Sequence, residues 1–316
     1  MKRKTGIGPW LVYALVRSII FVFHSFPVDW NLRTARLMGL VWWVVSPRHR
    51  NRTIEHLRLA YGQELEGKEL RRVALRSMQH QAMWVMELLF TPRLIGEWTW
   101  RRYVETGDMS EALRALLDGR GAVLVTGHYG NWELTGHLLS VFGFEVVALM
   151  RPLDNVYLNR YLVETRRAAG LALLDKKGAT EAAEAILARG AALAFIADQD
   201  AGRKGLFVDF FGVPASTYKS IGLLAMQAEA PIIVGCARRI GDRFRYELVV
   251  DRVIQPAEWQ GQEDPLRWIT QEYTSAIERA VRQDPTQYLW THRRWKSRPR
   301  SERRKQAAGP ARLGVE

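Results

Sequence analysis

The sequence contains a single cysteine, Cys236, among its 316 residues. One cysteine excludes an internal disulfide framework and a metal site built from several cysteines. Because Cys236 lies in an apolar run, an inert buried thiol is favoured over a reactive one. The sequence also lacks the G-x-S-x-G pattern that presents a serine nucleophile on a sharp turn. We therefore do not expect chemistry that passes through a covalent intermediate on serine or cysteine.

Acidic residues are few in comparison with basic ones. The chain has 33 Asp and Glu against 46 Lys and Arg, which gives a formal net charge of +13. An excess of this size indicates an anionic partner, namely nucleic acid, an acidic lipid surface or an acidic carrier protein. The 12 tryptophans favour the lipid surface, because Trp and Arg together are typical of the membrane interface.

The N-terminus carries an apolar segment that lacks a cleavage site. Residues 10–26 read WLVYALVRSIIFVFHSF, and the stretch HSFPVDW is a poor match to a signal-peptidase site. As a helix, the segment would extend roughly 25 Å, which is short for a membrane span. Basic residues before it favour a cytoplasmic N-terminus, whereas Arg17 favours an interfacial or protein-packed helix if the segment does not span. We predict a retained anchor, with a buried core helix as the alternative.

From residue 111 onward, short apolar runs alternate with helical patterns. The predicted strands are residues 122–126, 145–150, 171–174, 191–197, 231–237 and 244–250. Such alternation predicts an α/β fold with a mostly parallel sheet flanked by helices, preceded by the N-terminal hydrophobic anchor helix. No internal repeat and no linker rich in Gly, Pro or Ser divides the chain. We predict an anchor over residues 1–30, one folded domain over 31–292 and a solvated basic tail over 293–316.

The stretch AVLVTGHYGNWE, residues 122–133, places polar side chains directly after a buried strand. Open α/β sheets bind their ligands at this edge. Asn131 can cap the following helix, which puts Glu133 in the first helical turn. His128 can then turn back towards Glu133, and the carboxylate would make it a candidate general base. The H-x4-E pattern alone is weak, because the same residues also occur at strand and helix ends without a catalytic role.

Further polar stretches fall at or near the ends of other predicted strands. They are RPLDN at 151–155, DQDAG at 198–202, FVDFFGVPAST at 207–217 and YLWTHRRWKSRP at 288–299. In a parallel sheet these side chains converge on one rim. The set suits direct acyl transfer, in which His128 takes a proton from an acceptor hydroxyl that attacks a thioester. Glu133 would support His128, and Arg151 would stabilise the oxyanion.

Other chemistries remain open at this rim. Asp198 and Asp200 form a D-x-D pattern, which in a metal-dependent glycosyltransferase holds a cation on a sugar nucleotide. His128, Glu133 and His137 could also hold a metal, although their spacing matches no familiar zinc pattern. A non-catalytic lipid-binding or membrane-binding protein is the third alternative. Nucleic acid is not an expected partner, because the motifs lie at sheet ends rather than on a basic helix.

The motifs HYGNWE, RPLDN, DQDAG, FFGVPAST and HRRWKSRP, in this order, closely resemble the bacterial lipid A biosynthesis acyltransferases, also called the lauroyl/myristoyl acyltransferase family. The resemblance covers residues 9–299. It implies a glycerolipid-acyltransferase-like domain on the cytoplasmic side of the bacterial inner membrane. Such an enzyme moves a fatty acyl chain from acyl carrier protein or coenzyme A to a hydroxyl of a lipid A precursor or related glycolipid, with no cofactor or metal. An apolar groove from the helices before Gly121 would measure the acyl chain.

The resemblance also implies site residues. The family's H-x4-D/E motif maps onto His128 and Glu133, its next arginine onto Arg151, and its acidic motif onto Asp198 and Asp200. Catalytic roles are therefore predicted for His128, Glu133, Arg151 and Asp200. Substrate contacts are predicted for Asn131, Asn155, Asp198, Arg166, Lys219, Arg293 and Arg294. The acceptor stays open, since relatives with the same motifs acylate other lipids, including phosphatidylinositol mannosides.

Overall fold

The structure is a computed structural model that describes residues 4–150, 152–168, 170–175 and 179–299. Its α-helices are α1 (Ile7–His24), α2 (Val28–Val45), α3 (Pro47–Tyr61), α4 (Gly67–Leu94), α5 (Ser110–Leu117), α6 (Trp132–Val141), α7 (Val156–Ala168), α8 (Ala179–Ala188), α9 (Ser220–Gln227), α10 (Pro256–Gln260) and α11 (Pro265–Gln283). Its strands are β1 (Val104–Thr106), β2 (Ala122–Thr126), β3 (Val146–Met150), β4 (Leu171–Asp175), β5 (Ala192–Ile196), β6 (Leu206–Phe210), β7 (Val213–Thr217), β8 (Ile232–Arg239) and β9 (Tyr246–Ile254).

A seven-stranded sheet in the order β1-β9-β8-β2-β5-β3-β4 forms the centre of the protein. Its neighbouring strands are parallel except for the antiparallel pair β8 and β9. Strand β2 lies between β5 and β8, and every residue of β2 is buried, as a β-branched apolar run predicts. The loops that follow β2, β5 and β3 therefore meet at one edge of the sheet.

The predicted fold class is confirmed, since a mostly parallel sheet is covered by helices on both faces. One buried layer contains residues of α8, α9 and α11, and the other contains residues of α5, α6 and the second half of α4. Both layers are apolar because parallel strands bury both of their faces. The methionines of α4, Met78, Met83 and Met86, are buried in this interior.

Two local features differ from the sequence prediction. Residues 97–105 alternate in the sequence like a strand, but they form a 3₁₀ turn at Trp100–Arg102, and only their end enters strand β1. The hairpin β6–β7 stands outside the main sheet and was not predicted as strands. Its two-residue loop has positive φ at both Phe211 (56°) and Gly212 (68°), which is the geometry that matches strand twist in a tight hairpin.

Helices α1 and α2 expose much of their apolar surface. Within the described residues, α1 is the helix whose length and hydropathy suit a membrane span, and Ile20 is its only buried residue. Its side chains and those of α2 leave these large apolar groups exposed: Trp10, Leu11, Leu15, Ile19, Phe21, Val22, Trp30, Leu37, Met38, Val41, Val44 and Val45. The helix predicted as an anchor is therefore present and is a candidate for membrane insertion.

The C-terminal segment differs from the solvated tail that its charge predicts. Arg294 and Trp295 are 1% and 5% exposed, so the first part of the segment belongs to the folded interior. Trp295 packs near Phe210 of the hairpin, with ring centroids 5.7 Å apart. The folded domain thus extends past residue 292, and residues 300–316 lie outside the described part of the chain.

Candidate active site

The β2–α6 turn, residues 127–131, holds His128 at the carboxyl edge of the sheet. Gly130 has a φ of 59°, and a Cβ atom there would lie 2.2 Å from the carbonyl oxygen of Ala237. Glycine is required by both the backbone angle and this close approach. The backbone N–H of Leu289 donates a hydrogen bond of 3.0 Å to the His128 carbonyl. The turn is therefore fixed by contacts with two other segments.

One carboxylate holds both the ring and the backbone of His128. Asp198 Oδ1 lies 2.6 Å from His128 Nδ1, and Asp198 Oδ2 accepts a hydrogen bond of 2.9 Å from the His128 backbone N–H. Because an ionised carboxylate can only accept, Nδ1 carries the ring proton and Nε2 keeps its lone pair. His128 therefore has the tautomer and orientation of a general base.

The structure corrects the predicted partner of His128. Glu133 is paired with Arg166, whose Nη2 lies 2.5 Å from Glu133 Oε1, while Asp198 takes the place beside the imidazole. Strand order is the reason. Strand β5 lies next to β2, so the residue two positions after β5 is brought beside the residue two positions after β2.

Asp198 is buried, yet its surroundings keep it ionised. Burial alone would raise the pKa of this carboxyl. The charge of His128, the two hydrogen bonds from His128 and the charge of Arg294 together outweigh burial and hold the pKa of Asp198 well below its usual range. An ionised carboxylate at Nδ1 stabilises the imidazolium that forms when Nε2 takes up a proton.

Arg294 was predicted to bind substrate, but the structure gives its guanidinium protein partners. Nη1 donates to the Ser216 carbonyl at 2.7 Å, and Nη2 donates to Thr217 Oγ1 at 2.6 Å. Nη1 also lies 3.3 Å from the carbonyl oxygen of Gln199. The guanidinium thus ties the C-terminal segment to β7 and to the loop after β5. Sequence reasoning failed here because a run of basic residues does not show which cation turns inward.

Asp200 and the metal alternatives are placed by similar contacts. Asp200 accepts bonds of 3.1 Å and 3.0 Å from the backbone N–H and the hydroxyl of Ser297, so it fastens the C-terminal segment. Asp198 and Asp200 therefore face different partners rather than one shared cation. His137 Nε2 lies 2.7 Å from the Ile95 carbonyl oxygen. The trio that includes His137 is consequently not assembled.

A cavity of about 400 Å³ contains His128 and runs between the sheet and helices α5 and α6. Glu133, Arg166 and Gln199 also line it and supply polar groups. Much of the remaining wall is aliphatic and includes Met109, Ala112, Leu116, Leu124, Leu139, Ala148, Leu173, Ala194, Ile233 and Leu248. Among the helices before Gly121, α5 contributes to this wall, while the α4 methionines lie in the core. A mostly apolar cavity with a few polar groups suits a ligand with a long hydrocarbon part.

Two predicted substrate contacts are helix caps in the structure. Asn131 Oδ1 accepts a bond of 3.1 Å from the Leu134 N–H at the start of α6, and its Nδ2 donates to Glu87 at 3.1 Å. Asn155 Oδ1 caps α7, and its Nδ2 donates to the carbonyl of Pro9 at 2.8 Å. Both amides are therefore engaged within the protein.

The other predicted residues have separate locations. Lys219 is exposed at the start of α9, and Arg293 is exposed close to the guanidinium of Arg52. Arg166 lines the cavity and is joined to Glu133. Arg151 lies outside the described residues, so its role as an oxyanion donor stays a prediction.

Several residues near the site were missed. Arg239 Nε lies 2.6 Å from Glu87 Oε1 in a pair that is almost fully buried, and this pair supports the turn through the Glu87 contact to Asn131. His292 stacks on His128 with ring centroids 6.0 Å apart. The available signal for the ion pair was a charged residue within an amphipathic helix, Glu87, and another within a strand, Arg239. The sequence does not show that the two side chains are buried together.

Comparison with known proteins finds one matching family and several relatives. A family model described as "Bacterial lipid A biosynthesis acyltransferase" matches residues 3–297. The lipid A biosynthesis palmitoleoyltransferase of Escherichia coli is 28% identical over 213 residues, which is 65% of this chain and 67% of that protein. The lipid A biosynthesis lauroyltransferase of the same organism is 27% identical over 244 residues, or 75% and 76% of the two chains.

One relative is named for a different lipid acceptor. The phosphatidylinositol mannoside acyltransferase of Mycolicibacterium smegmatis is 34% identical over 111 residues, which is 33% of this chain and 36% of that protein. The family match itself spans nearly the whole chain and includes both the turn that carries His128 and the loop that carries Asp198. The protein therefore belongs to the bacterial lipid A biosynthesis acyltransferase family and is an acyltransferase.

Proposed function

We propose that the protein transfers a fatty acyl chain from an acyl thioester to a hydroxyl of a lipid A precursor or related glycolipid. The observation that carries this proposal is the position of His128, whose Nδ1 is held by Asp198 and whose Nε2 side lies at an apolar cavity. The thioester would be presented by acyl carrier protein or coenzyme A. No cofactor takes part in the proposed reaction.

The proposed reaction proceeds by direct attack. His128 Nε2 takes the proton of the acceptor hydroxyl as the oxygen forms a bond to the thioester carbonyl carbon. The carbon–sulfur bond then breaks, and the leaving thiolate receives the proton from the imidazolium. Asp198 stays ionised and stabilises the imidazolium between these two steps. The products are the acylated lipid and the free thiol of the carrier.

Glu133 has a revised role in this proposal. It holds the guanidinium of Arg166 at the cavity, where a cation can stabilise negative charge that develops on the thioester oxygen. Both side chains are largely buried, with 24% and 18% of their surface exposed, so water screens their charges only in part. Glu133 would then act as a positioning residue for Arg166 rather than as the partner of His128.

The relatives and the N-terminal helices support the proposed acceptor and location. Relatives are named for lipid A and for phosphatidylinositol mannoside, which are both glycolipids. Helix α1 is long and apolar enough to enter a bilayer, and α2 exposes further apolar side chains. We accordingly propose that the enzyme is held at the bacterial inner membrane with its catalytic domain on the cytoplasmic side.

Substitutions at the base and at the two carboxylates test the proposal. His128→Ala should lower transfer by about 10²-fold to 10⁴-fold, the usual contribution of a general base. Asp198→Asn should have a loss of similar order, because an amide has one acceptor oxygen for two His128 N–H groups and no longer fixes the tautomer. Glu133→Gln should be milder. Transfer from acyl carrier protein and coenzyme A thioesters to a lipid A precursor would be measured by mass spectrometry on the purified full-length protein.

The matched control is Asp242→Asn, which removes an exposed carboxylate that pairs with Arg36 at the surface. It should leave transfer unchanged. Wild-type activity in His128→Ala would refute the base, and a mild effect of Asp198→Asn with a severe effect of Glu133→Gln would restore the originally predicted dyad.

A further inference from the structure

Gln199 covers the nitrogen of His128 that must accept a proton. Its side-chain amide nitrogen lies 3.2 Å from His128 Nε2, and both residues line the cavity. Because Asp198 fixes the ring proton on Nδ1, Nε2 can only accept, so the Gln199 amide N–H is the donor. The amide N–H therefore stands in the direction from which an acceptor hydroxyl would approach.

The main chain around Gln199 is fixed, whereas its side-chain amide makes one hydrogen bond among the described residues. Asp198 on one side is bound twice by His128, and Asp200 on the other is bound twice by Ser297. The bond to Nε2 is the hydrogen bond that the Gln199 amide makes within the described residues. A rotation of this side chain would therefore uncover His128 without moving the loop.

Water is the competing acceptor in the proposed reaction. Its proton could pass to His128 Nε2 while its oxygen joins the thioester carbonyl, and cleavage of the carbon–sulfur bond would release a free fatty acid and a thiol. A lipid acceptor brings many contacts that can drive a side chain aside, while a water molecule brings few. A side chain that the lipid acceptor can displace, but water cannot, would thus permit transfer and limit hydrolysis.

We infer that Gln199 is a guard on His128, which limits hydrolysis of the bound thioester until the acceptor hydroxyl displaces the amide. The inference rests on the proposed function, because it takes His128 as the base. It makes Gln199 a residue that determines specificity between two nucleophiles, lipid hydroxyl and water.

Hydrolysis without acceptor is the measurement that tests the guard. Purified wild type and Gln199→Ala would be incubated with an acyl thioester, and free fatty acid would be measured by mass spectrometry. Gln199→Ala should release fatty acid roughly tenfold faster, as expected when one hydrogen bond no longer has to be broken. With acceptor present, the variant should show a lower KM for the lipid and a higher ratio of free acid to acylated lipid.

Two further variants make the result specific. The double variant His128→Ala/Gln199→Ala should lose the added hydrolysis, because the guard acts on His128. Gln262→Ala, which changes an exposed glutamine far along the chain on the loop after α10, should behave as wild type in both assays. Thermal unfolding of each variant would show that it is folded.

The outcomes separate this inference from the proposed function. Unchanged hydrolysis in Gln199→Ala, added hydrolysis that survives in the double variant, or loss of transfer without added hydrolysis would each overturn the guard. Wild-type transfer in His128→Ala alone would instead refute the proposed base.

Discussion

Asp198 joins two tasks in a single carboxyl group. One oxygen fixes the backbone at His128, and the other fixes the imidazole ring. Asp198 and His128 each lie two residues after the end of one of two adjacent strands, so the sheet sets the distance between them. A charge-assisted bond on each oxygen also satisfies a buried carboxylate that would otherwise be costly. The pair is therefore a part of the fold as well as of the site.

The reactivity of the Cys236 thiol tests the prediction that no cysteine takes part in the reaction. Burial raises the pKa of its thiol to about 12, so almost none is thiolate near neutral pH. We expect Cys236 in the folded protein to resist iodoacetamide at pH 8 and to react after unfolding in urea, as measured by mass spectrometry. Cys236→Ser should keep acyl transfer. Stoichiometric alkylation of the folded protein would contradict the prediction.

At the residue scale, the sequence predicts His128 as a base but does not show which carboxylate lies beside its ring. A polar residue after a buried β-branched run is a local signal, and it is sufficient to place His128 at the edge of the sheet. Asp198 lies 70 residues away, and its contact depends on β5 pairing with β2. Strand order is a global property of the chain, so the nearer carboxylate, Glu133, was chosen wrongly as the partner.

At the element scale, α5 and α6 cover one face of the sheet and line the cavity between the helices and the strands. Helix α5 faces it with Ala112 and Leu116, and Met109 caps the helix there, while Leu117 on the same helix is 74% exposed. The spacing of the buried residues is that of an amphipathic helix, which is why α5 belongs to the helical patterns that the sequence shows from residue 111 onward. The hairpin β6–β7 was missed because it has no place in the βα alternation.

Filling the cavity from α5 should shorten the acyl chain that the enzyme accepts. Ala112→Phe places a ring in the apolar wall, and each methylene excluded from the cavity costs about 0.8 kcal/mol, or roughly fourfold in apparent affinity. Transfer from a mixture of thioesters of different chain length, read by mass spectrometry, should shift towards shorter chains.

Leu117→Phe makes a similar change on the exposed side of α5 and should leave the product distribution unaltered. An unchanged distribution in Ala112→Phe, with normal transfer and stability, would show that the acyl chain lies elsewhere.

At the scale of the whole molecule, four partly or fully buried histidines have a lowered side-chain pKa. Burial is the main cause that lowers the pKa of His56, His80, His137 and His292 from the ordinary value of 6.5. Each of them is therefore neutral in the folded protein at neutral pH. Protonation is easier in the unfolded chain, which binds more protons than the folded chain below about pH 6.5.

Stability should accordingly fall as the pH falls. We expect the free energy of unfolding, from urea titrations in detergent, to be nearly constant above pH 7.5 and to decline from about pH 6.5 downward. Asp198 has a lowered pKa as well, but its contribution is lost only below about pH 4, in a separate range. His137→Gln keeps a donor for the Ile95 carbonyl and removes one titrating group. It should therefore make the free energy of unfolding fall less steeply as the pH is lowered. Stability that rises on acidification would contradict this expectation.

Helix α1 is fastened to the catalytic domain through α7. Asn155 binds the Pro9 carbonyl, and the Arg17 guanidinium lies 4.4 Å from the ring centroid of Tyr161, on the helix that also carries Arg166. With α1 in a bilayer, this joint sets the height and tilt of the cavity relative to the lipid headgroups. Acceptor molecules would then arrive by lateral diffusion within one leaflet. The rate of the enzyme would follow the mole fraction of acceptor in the membrane rather than its concentration in the surrounding solution. Dilution of the acceptor with inert phospholipid would therefore lower the rate of transfer.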